Sequence, residues 1–202
     1  MPQGLTTPVL REALERIVNK LEACADELNR LDGMLGDGDL GVTMVRGARS
    51  VLAELPSLPD DVGMALLKCA QAFTKISGST LGTLLATGLM SAAKATKGRQ
   101  EIPWGEISSL LIGATKAMSE RGQGQLGDKT VLDAVAGAGS ATEGLDDPVR
   151  LVDAADAGVA AAIDRLRNQP SRQGRARIFG EKSVGRDDPG MVAFKRVVEA
   201  LK

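Results

Sequence analysis

The chain has 202 residues, of which 43% are hydrophobic and 25% charged, with a formal charge of -1. These are the proportions of a soluble globule with one substantial core, and the near-neutral charge argues against a nucleic-acid binder. Histidine and tyrosine are absent, which removes imidazole bases, imidazole metal ligands and every Ser-His or Cys-His nucleophile pair.

No composition shift marks a second domain, so one domain over residues 1–202 is expected. The N-terminus lacks the basic and apolar blocks of a signal peptide, and no apolar run approaches the roughly 18 residues of a membrane span. No membrane partner and a cytoplasmic location are the expectation. With aromatics at 2%, the core must be aliphatic. Cys24 and Cys69 fall on apolar helical positions and read as buried, reduced thiols.

A first helix opens at Thr7-Pro8, a cap followed by a first-turn proline. Leu10, Leu14, Ile17, Leu21, Cys24, Leu28 and Leu31 then recur in alternating steps of four and three, the mark of an amphipathic helix. It runs into Leu31-Asp-Gly-Met-Leu-Gly-Asp-Gly-Asp-Leu-Gly41, where glycines interrupt any helix and Asp32, Asp37 and Asp39 crowd within eight residues. Crowded carboxylates repel one another unless protonated or bound to a cation, and hard oxygen donors suit Mg²⁺, Ca²⁺ or Mn²⁺. An EF-hand loop starting at Asp37 fails, because Gly41 and Ala48 occupy the positions of its fifth and twelfth ligands. Mg²⁺ held by a few carboxylates with substrate phosphates fits better. A solvated turn is the competing reading of this segment alone.

A second helix is expected over residues 43–55, and Pro59-Asp60-Asp61 opens a third that continues through Phe73. Ser79 or Thr80 caps a fourth reaching about Lys97, whose small residues predict close packing. Further helices are expected over 103–120, 130–141 and 148–168, and the eighth from Pro189 to the end. No stretch shows the sustained alternation of a strand, so the fold is expected to be all-α. The connection over residues 169–188 is long for a compact domain. It carries Arg172, Arg175, Arg177, Lys182 and Arg186, either a cationic lid over an anion or a basic solvated loop.

Two tempting motifs fail. Gly122-Gln-Gly124-Gln-Leu-Gly127 matches G-x-G-x-x-G, but that fingerprint needs a preceding strand and residues 114–121 read as helix. Gly127-Asp-Lys-Thr130 and Gly180-Glu-Lys-Ser183 lack the glycine directly before lysine that a P-loop requires. The start of a helix binds phosphate without that motif, and Gly78-Ser79-Thr80 is the best candidate. Metal carboxylates, a phosphate-ready helix start and a cationic lid are together the parts of a phosphoryl-transfer site.

Four segments together resemble the nucleotide-binding L subunit of dihydroxyacetone kinase. They are Gly36-Asp-Gly-Asp-Leu-Gly41, Ser77-Gly-Ser-Thr80, Gly127-Asp-Lys-Thr-Val-Leu-Asp-Ala134, and Gly174-Arg-Ala-Arg-Ile-Phe-Gly-Glu-Lys-Ser183 with Asp188-Pro-Gly190. The resemblance implies an eight-helix antiparallel barrel with ADP or ATP at one end, its phosphates held through two Mg²⁺ ions. By matching position, Asp32, Asp37 and Asp39 are the implied metal ligands. Leu40, Gly41, Val42, Thr43, Ser79, Thr80, Gly122, Val131, Arg175, Asp188, Pro189 and Gly190 are implied to surround the nucleotide, with Arg175 as the catalytic cation of the lid.

Such proteins work beside a K-type subunit that holds a hydroxyketone covalently on a histidine, and some are recharged by a phosphotransferase-system donor protein. The sequence departs from the family pattern at Leu40, where a histidine is usual, and at Ser77, where a glycine is usual. A regulatory nucleotide-binding module acting by protein contact is the main alternative. A fatty-acid-kinase-like nucleotide domain is a second, against which the chain length counts.

Overall fold

A computed structural model describes residues 3–76 and 78–202. Ser77, one of the residues carrying the family resemblance, lies outside the described residues. All eight expected helices form, the first of them divided: α1 (Thr7–Ala23), α2 (Ala25–Leu35), α3 (Leu40–Glu54), α4 (Val62–Ile76), α5 (Thr80–Thr96), α6 (Ile107–Gly122), α7 (Val131–Ala141), α8 (Pro148–Leu166) and α9 (Pro189–Glu199). The division falls at Cys24, whose φ of -108° and ψ of 9° leave the helical region. Leu21, Cys24 and Leu28 keep the four-and-three spacing across it, so the hydrophobic pattern carries no mark of the kink.

The expectation of no strand is corrected by a short ribbon. β1 (Gly4–Thr6) pairs antiparallel with β2 (Glu101–Pro103), Leu5 opposite Ile102. Three residues are too few for alternation to register in sequence, and a tertiary contact decides the pairing: Ile102 is wholly buried. Recruiting Pro103 to β2 also moves the start of α6 from the expected position 103 to Ile107. At α4, Asp61 is the cap instead of a first-turn residue, its Oδ1 accepting the Met64 amide at 2.9 Å.

From α3 to α9 each helix packs against its successor, and α9 returns to α1 and α2, which pack against α3. The ring of helices therefore closes. Each connection, the long one before α9 included, reverses the chain, so α3, α5, α7 and α9 open at the same end. Leu28, Val62, Val159 and Met191 are among the wholly buried core residues. Both cysteines are free and buried, and burial pushes the Cys69 thiol up to about 11, which keeps it unreactive. Inside the ring lies an apolar cavity of about 320 Å³, lined among others by Leu14, Met44, Phe73, Leu89 and Phe194. Among the described residues, no helix is long and apolar enough to cross a membrane.

Candidate functional site

The aspartate loop joins α2 to α3. Asp32 sits in the last turn of α2, and its Oδ2 accepts the amides of Gly38 at 2.8 Å and Asp39 at 3.1 Å. Gly38 has a φ of +79°, a left-handed conformation that glycine adopts without steric cost. The fold-back brings one carboxylate oxygen each from Asp32, Asp37 and Asp39 within 4.8 Å of one another. Three hard oxygen donors at that spacing fit Mg²⁺.

One turn before Asp32, Asn29 turns its Oδ1 to the amides of Gly41 at 2.8 Å and Val42 at 3.3 Å. These are first-turn donors of α3 that have no partner within the helix. They let α3 start at Leu40, three residues before the expected position. A Cβ on Gly41 would run into the Ala25 carbonyl, so α2 and the start of α3 approach as closely as they do only with glycine there.

Leu40, Thr80, Val131 and Pro189 are the first residues of α3, α5, α7 and α9. All four line one cavity of about 200 Å³, and the three aspartates line it too. Four helix starts therefore turn the positive ends of their dipoles on one space, which favours an anion. Beside it, the three carboxylates favour a cation. This pairing suits a metal-bound phosphate.

The helix starts around this cavity are capped. Ser79 Oγ accepts the Gly82 amide at 3.0 Å. Thr130 and Asp133 form a capping box on α7, Asp133 Oδ2 accepting the Thr130 amide at 3.0 Å. On α9, Asp188 Oδ1 accepts the Met191 amide at 2.9 Å. Asp188 reaches the cavity with one edge and is otherwise enclosed by protein. Burial pushes its carboxyl up to about 7, against the opposing pull of the Met191 amide and the Lys129 charge.

The segment over residues 169–188 is more ordered than a structureless loop. It contains a 3-10 stretch, Arg175–Ser183, kinked at Gly180. Arg175 opens that stretch, lines the cavity and pairs with Asp37. Gln173, Gly174 and Ala176 line the cavity beside it, whereas Arg172, Arg177, Lys182 and Arg186 do not line it and are exposed. The segment thus presents one cation to the cavity, where five were available.

Of the residues singled out in the sequence, Asp32, Asp37, Asp39, Leu40, Thr43, Ser79, Thr80, Gly122, Val131, Arg175, Asp188, Pro189 and Gly190 come together around the cavity. Gly41 and Val42 do not line it, and their amides are held by Asn29. Sequence reasoning missed Asn29, whose role depends on a contact twelve residues away, and the apolar wall of Leu35, Leu81, Leu84, Met118 and Leu132. Leu81 and Leu84 follow the Ser79 cap within the first two turns, three residues apart on one face, and that spacing was the available signal. Gly122 ends α6, so a helix precedes the glycine triplet and the dinucleotide fingerprint is excluded.

Fold and cavity define an all-α closed barrel with one end receptive to a metal and an anion together. The sequence matches the DAK2 domain over residues 34–202, and the chain belongs to that family. It is 31% identical over 199 residues to the ADP-binding subunit DhaL of the PEP-dependent dihydroxyacetone kinase of Escherichia coli, covering 92% of this chain and 94% of that one. It is also 31% identical over 180 residues to the ADP-binding subunit DhaL of PEP-dependent dihydroxyacetone kinase 2 of Listeria innocua, covering 84% of this chain and 82% of the relative. Among solved structures, the dihydroxyacetone kinase of C. freundii matches 100% of this chain with a TM-score of 0.77 at 22% identity. Its complex with AMP-PNP and Mg²⁺ gives 0.76 at 21%. The chain spans about a third of that enzyme, 35% of its length, and at such identity the shared property is the fold.

Proposed function

We propose that this chain is the nucleotide-binding subunit of a dihydroxyacetone-type kinase, taking ADP or ATP with Mg²⁺ at the barrel end where α3, α5, α7 and α9 begin. The observation that carries the reading is the convergence of four helix starts on a cavity that three mutually close aspartates share. The relatives from Escherichia coli and Listeria innocua, covered over most of their length, are both ADP-binding subunits of dihydroxyacetone kinases, which supports it.

In this reading Asp32, Asp37 and Asp39 hold two Mg²⁺ ions. Leu40, Thr43, Ser79, Thr80, Gly122, Val131 and the Asp188-Pro189-Gly190 turn enclose the nucleotide, with Gly41 and Val42 shaping the loop behind it. Bound Mg²⁺ supplies neutralisation of the phosphate charge. From the lining of the cavity Arg175, which pairs with Asp37, would add a second positive group beside the metal ligands. The chain needs no base of its own. Having no histidine, it leaves a histidine-bound hydroxyketone to a separate K-type subunit, and the PEP-dependence named for the relatives supports recharging of bound ADP by a phosphotransferase-system donor.

The test is phosphorylation of dihydroxyacetone by the chain alone and with a K-type subunit, each with ATP and with a phosphoenolpyruvate-driven donor. Product only when the K-type subunit is present supports the reading. Full turnover by the chain alone contradicts the need for a partner.

A further inference from the structure

Lys129 is one of the most deeply buried side chains, 1% exposed, and nothing in the proposed chemistry uses it. Its backbone takes a φ of +63°, uncommon for a side chain of that size. Its ammonium donates to three carbonyls: Arg167 at 2.9 Å, Gln169 at 2.8 Å and Ser183 at 2.8 Å. Burial lowers the pKa of the group, opposed by the charges of Asp188 and Asp187. An ordinary lysine in water would not give up its hydration without such acceptors.

The three acceptors flank one feature. Arg167 follows the end of α8, Gln169 opens the lid segment and Ser183 closes its 3-10 stretch, so the ammonium holds both stems of the segment that bears Arg175. The same stems are joined by Ser171, whose amide donates to Ser183 Oγ at 2.8 Å, and by the Gly185 amide, which donates to the Arg167 carbonyl at 2.9 Å. The Arg172 amide donates to the Asp128 carbonyl at 3.0 Å, fastening the segment to the loop before α7. Lys129 is followed directly by Thr130 and Val131, which line the cavity.

We infer that Lys129 is a positioning residue for nucleotide binding, a buried clamp whose ammonium holds both ends of the lid so that Arg175 faces the cavity. This rests on the proposed function, because the ligand that Arg175 meets is taken to be Mg-nucleotide. Lys129 itself touches no substrate.

The experiment compares wild type, Lys129→Met, Arg175→Ala and the double variant, by trypsin cleavage without nucleotide and by calorimetry with Mg-ADP. Lys129→Met keeps an unbranched apolar stem as far as Cε and removes the ammonium. Trypsin is expected to cut the lid at Arg172, Arg175 or Arg177 about tenfold faster in Lys129→Met than in wild type, while the barrel stays resistant. The Kd for Mg-ADP is expected to rise about tenfold when Lys129→Met is made in wild type, and by less than about twofold when made in Arg175→Ala, because the two act through one contact. Equal penalties in both backgrounds, or unchanged lid cleavage, would overturn the inference. If Lys129→Met does not fold, Lys129→Gln, which removes the charge and shortens the reach to the three carbonyls, carries the same readouts. A wild-type chain that fails to bind Mg-ADP would refute the proposed function instead, and the trypsin arm, which uses no nucleotide, then decides the clamp alone.

Discussion

Asp32 Oδ2 accepts the Gly38 amide at 2.8 Å, and that bond folds the loop so that Asp37 and Asp39 meet Asp32. The contact separates two roles of one residue. Asp32→Asn keeps an oxygen for the Gly38 amide and loses the charge, whereas Asp32→Ala loses both. Asp37→Ala and Asp39→Ala remove charge without touching the Asp32 bonds. Interactions with charged groups are worth about 1.5–3 kcal/mol, so each of these two variants should weaken Mg-ADP binding by roughly ten- to a hundredfold with an unchanged Tm. Calorimetry and thermal melts check this, and unchanged affinity in both would defeat the metal assignment.

How much of this was readable in the sequence depends on the range of the interaction. Helices whose pattern repeats over several turns, such as α1 and α8, stand out because burial of one face imposes the 3.6-residue period. The kink at Cys24 leaves the period unbroken and stays hidden. The aspartate loop was visible from residue type alone, and so was a cap at Ser79 or Thr80, which the structure assigns to Ser79. Asn29 was not, since an asparagine inside a helical stretch has no local reason to serve a helix twelve residues on. Likewise spacing does not distinguish Arg175 among the five cations of its segment; the family resemblance singled it out, and in the structure it lines the cavity whereas Arg172 does not. The Lys129 clamp joins residues 38 to 54 positions apart, beyond any spacing rule.

Asn29 should matter for stability as much as for binding. Replacing it by Ala strips the Gly41 and Val42 amides of their acceptor, and loss of such a cap costs about 1 kcal/mol, or roughly 2–4 °C in Tm for a chain of this size. Gly41→Ala should cost more, since the new methyl meets the Ala25 carbonyl and α3 must shift away from α2. Thermal melts of the two variants check the order, and a Gly41→Ala protein as stable as wild type would contradict the close approach.

The Asp188 carboxyl, at about 7 in the fold against about 3.9 in an unfolded chain, makes stability depend on pH. Between these values the folded protein holds a proton that the unfolded chain has released. The stabilisation present below about pH 4 is therefore lost as pH rises through about 7. Asp188→Asn keeps a cap for α9 and removes the titration, so its Tm should fall less than that of wild type between pH 4 and 8. Parallel curves would refute the assignment.

Glu199 has the opposite sign. Burial would raise its carboxyl, but hydrogen bonds from Lys195, Lys20 and Arg196 outweigh this and hold it at about 2, below the roughly 4.3 of an unfolded chain. Its contribution is complete above about pH 4.3 and lost as pH falls through 2. Glu199→Gln should lower Tm at pH 7 by roughly 2–4 °C, for a loss of about 1 kcal/mol, and flatten the acid limb of the curve. Differential scanning calorimetry from pH 2 to 7 measures both effects, and an acid limb as steep as that of wild type would contradict them.

The measurement that bears most directly on the whole account is calorimetric titration of the wild-type chain with ADP, first in excess Mg²⁺ and then in excess EDTA. The account predicts saturable binding with Mg²⁺ and a large loss of affinity once the metal is removed. Equal affinity in the two titrations, or no binding in either, would contradict it.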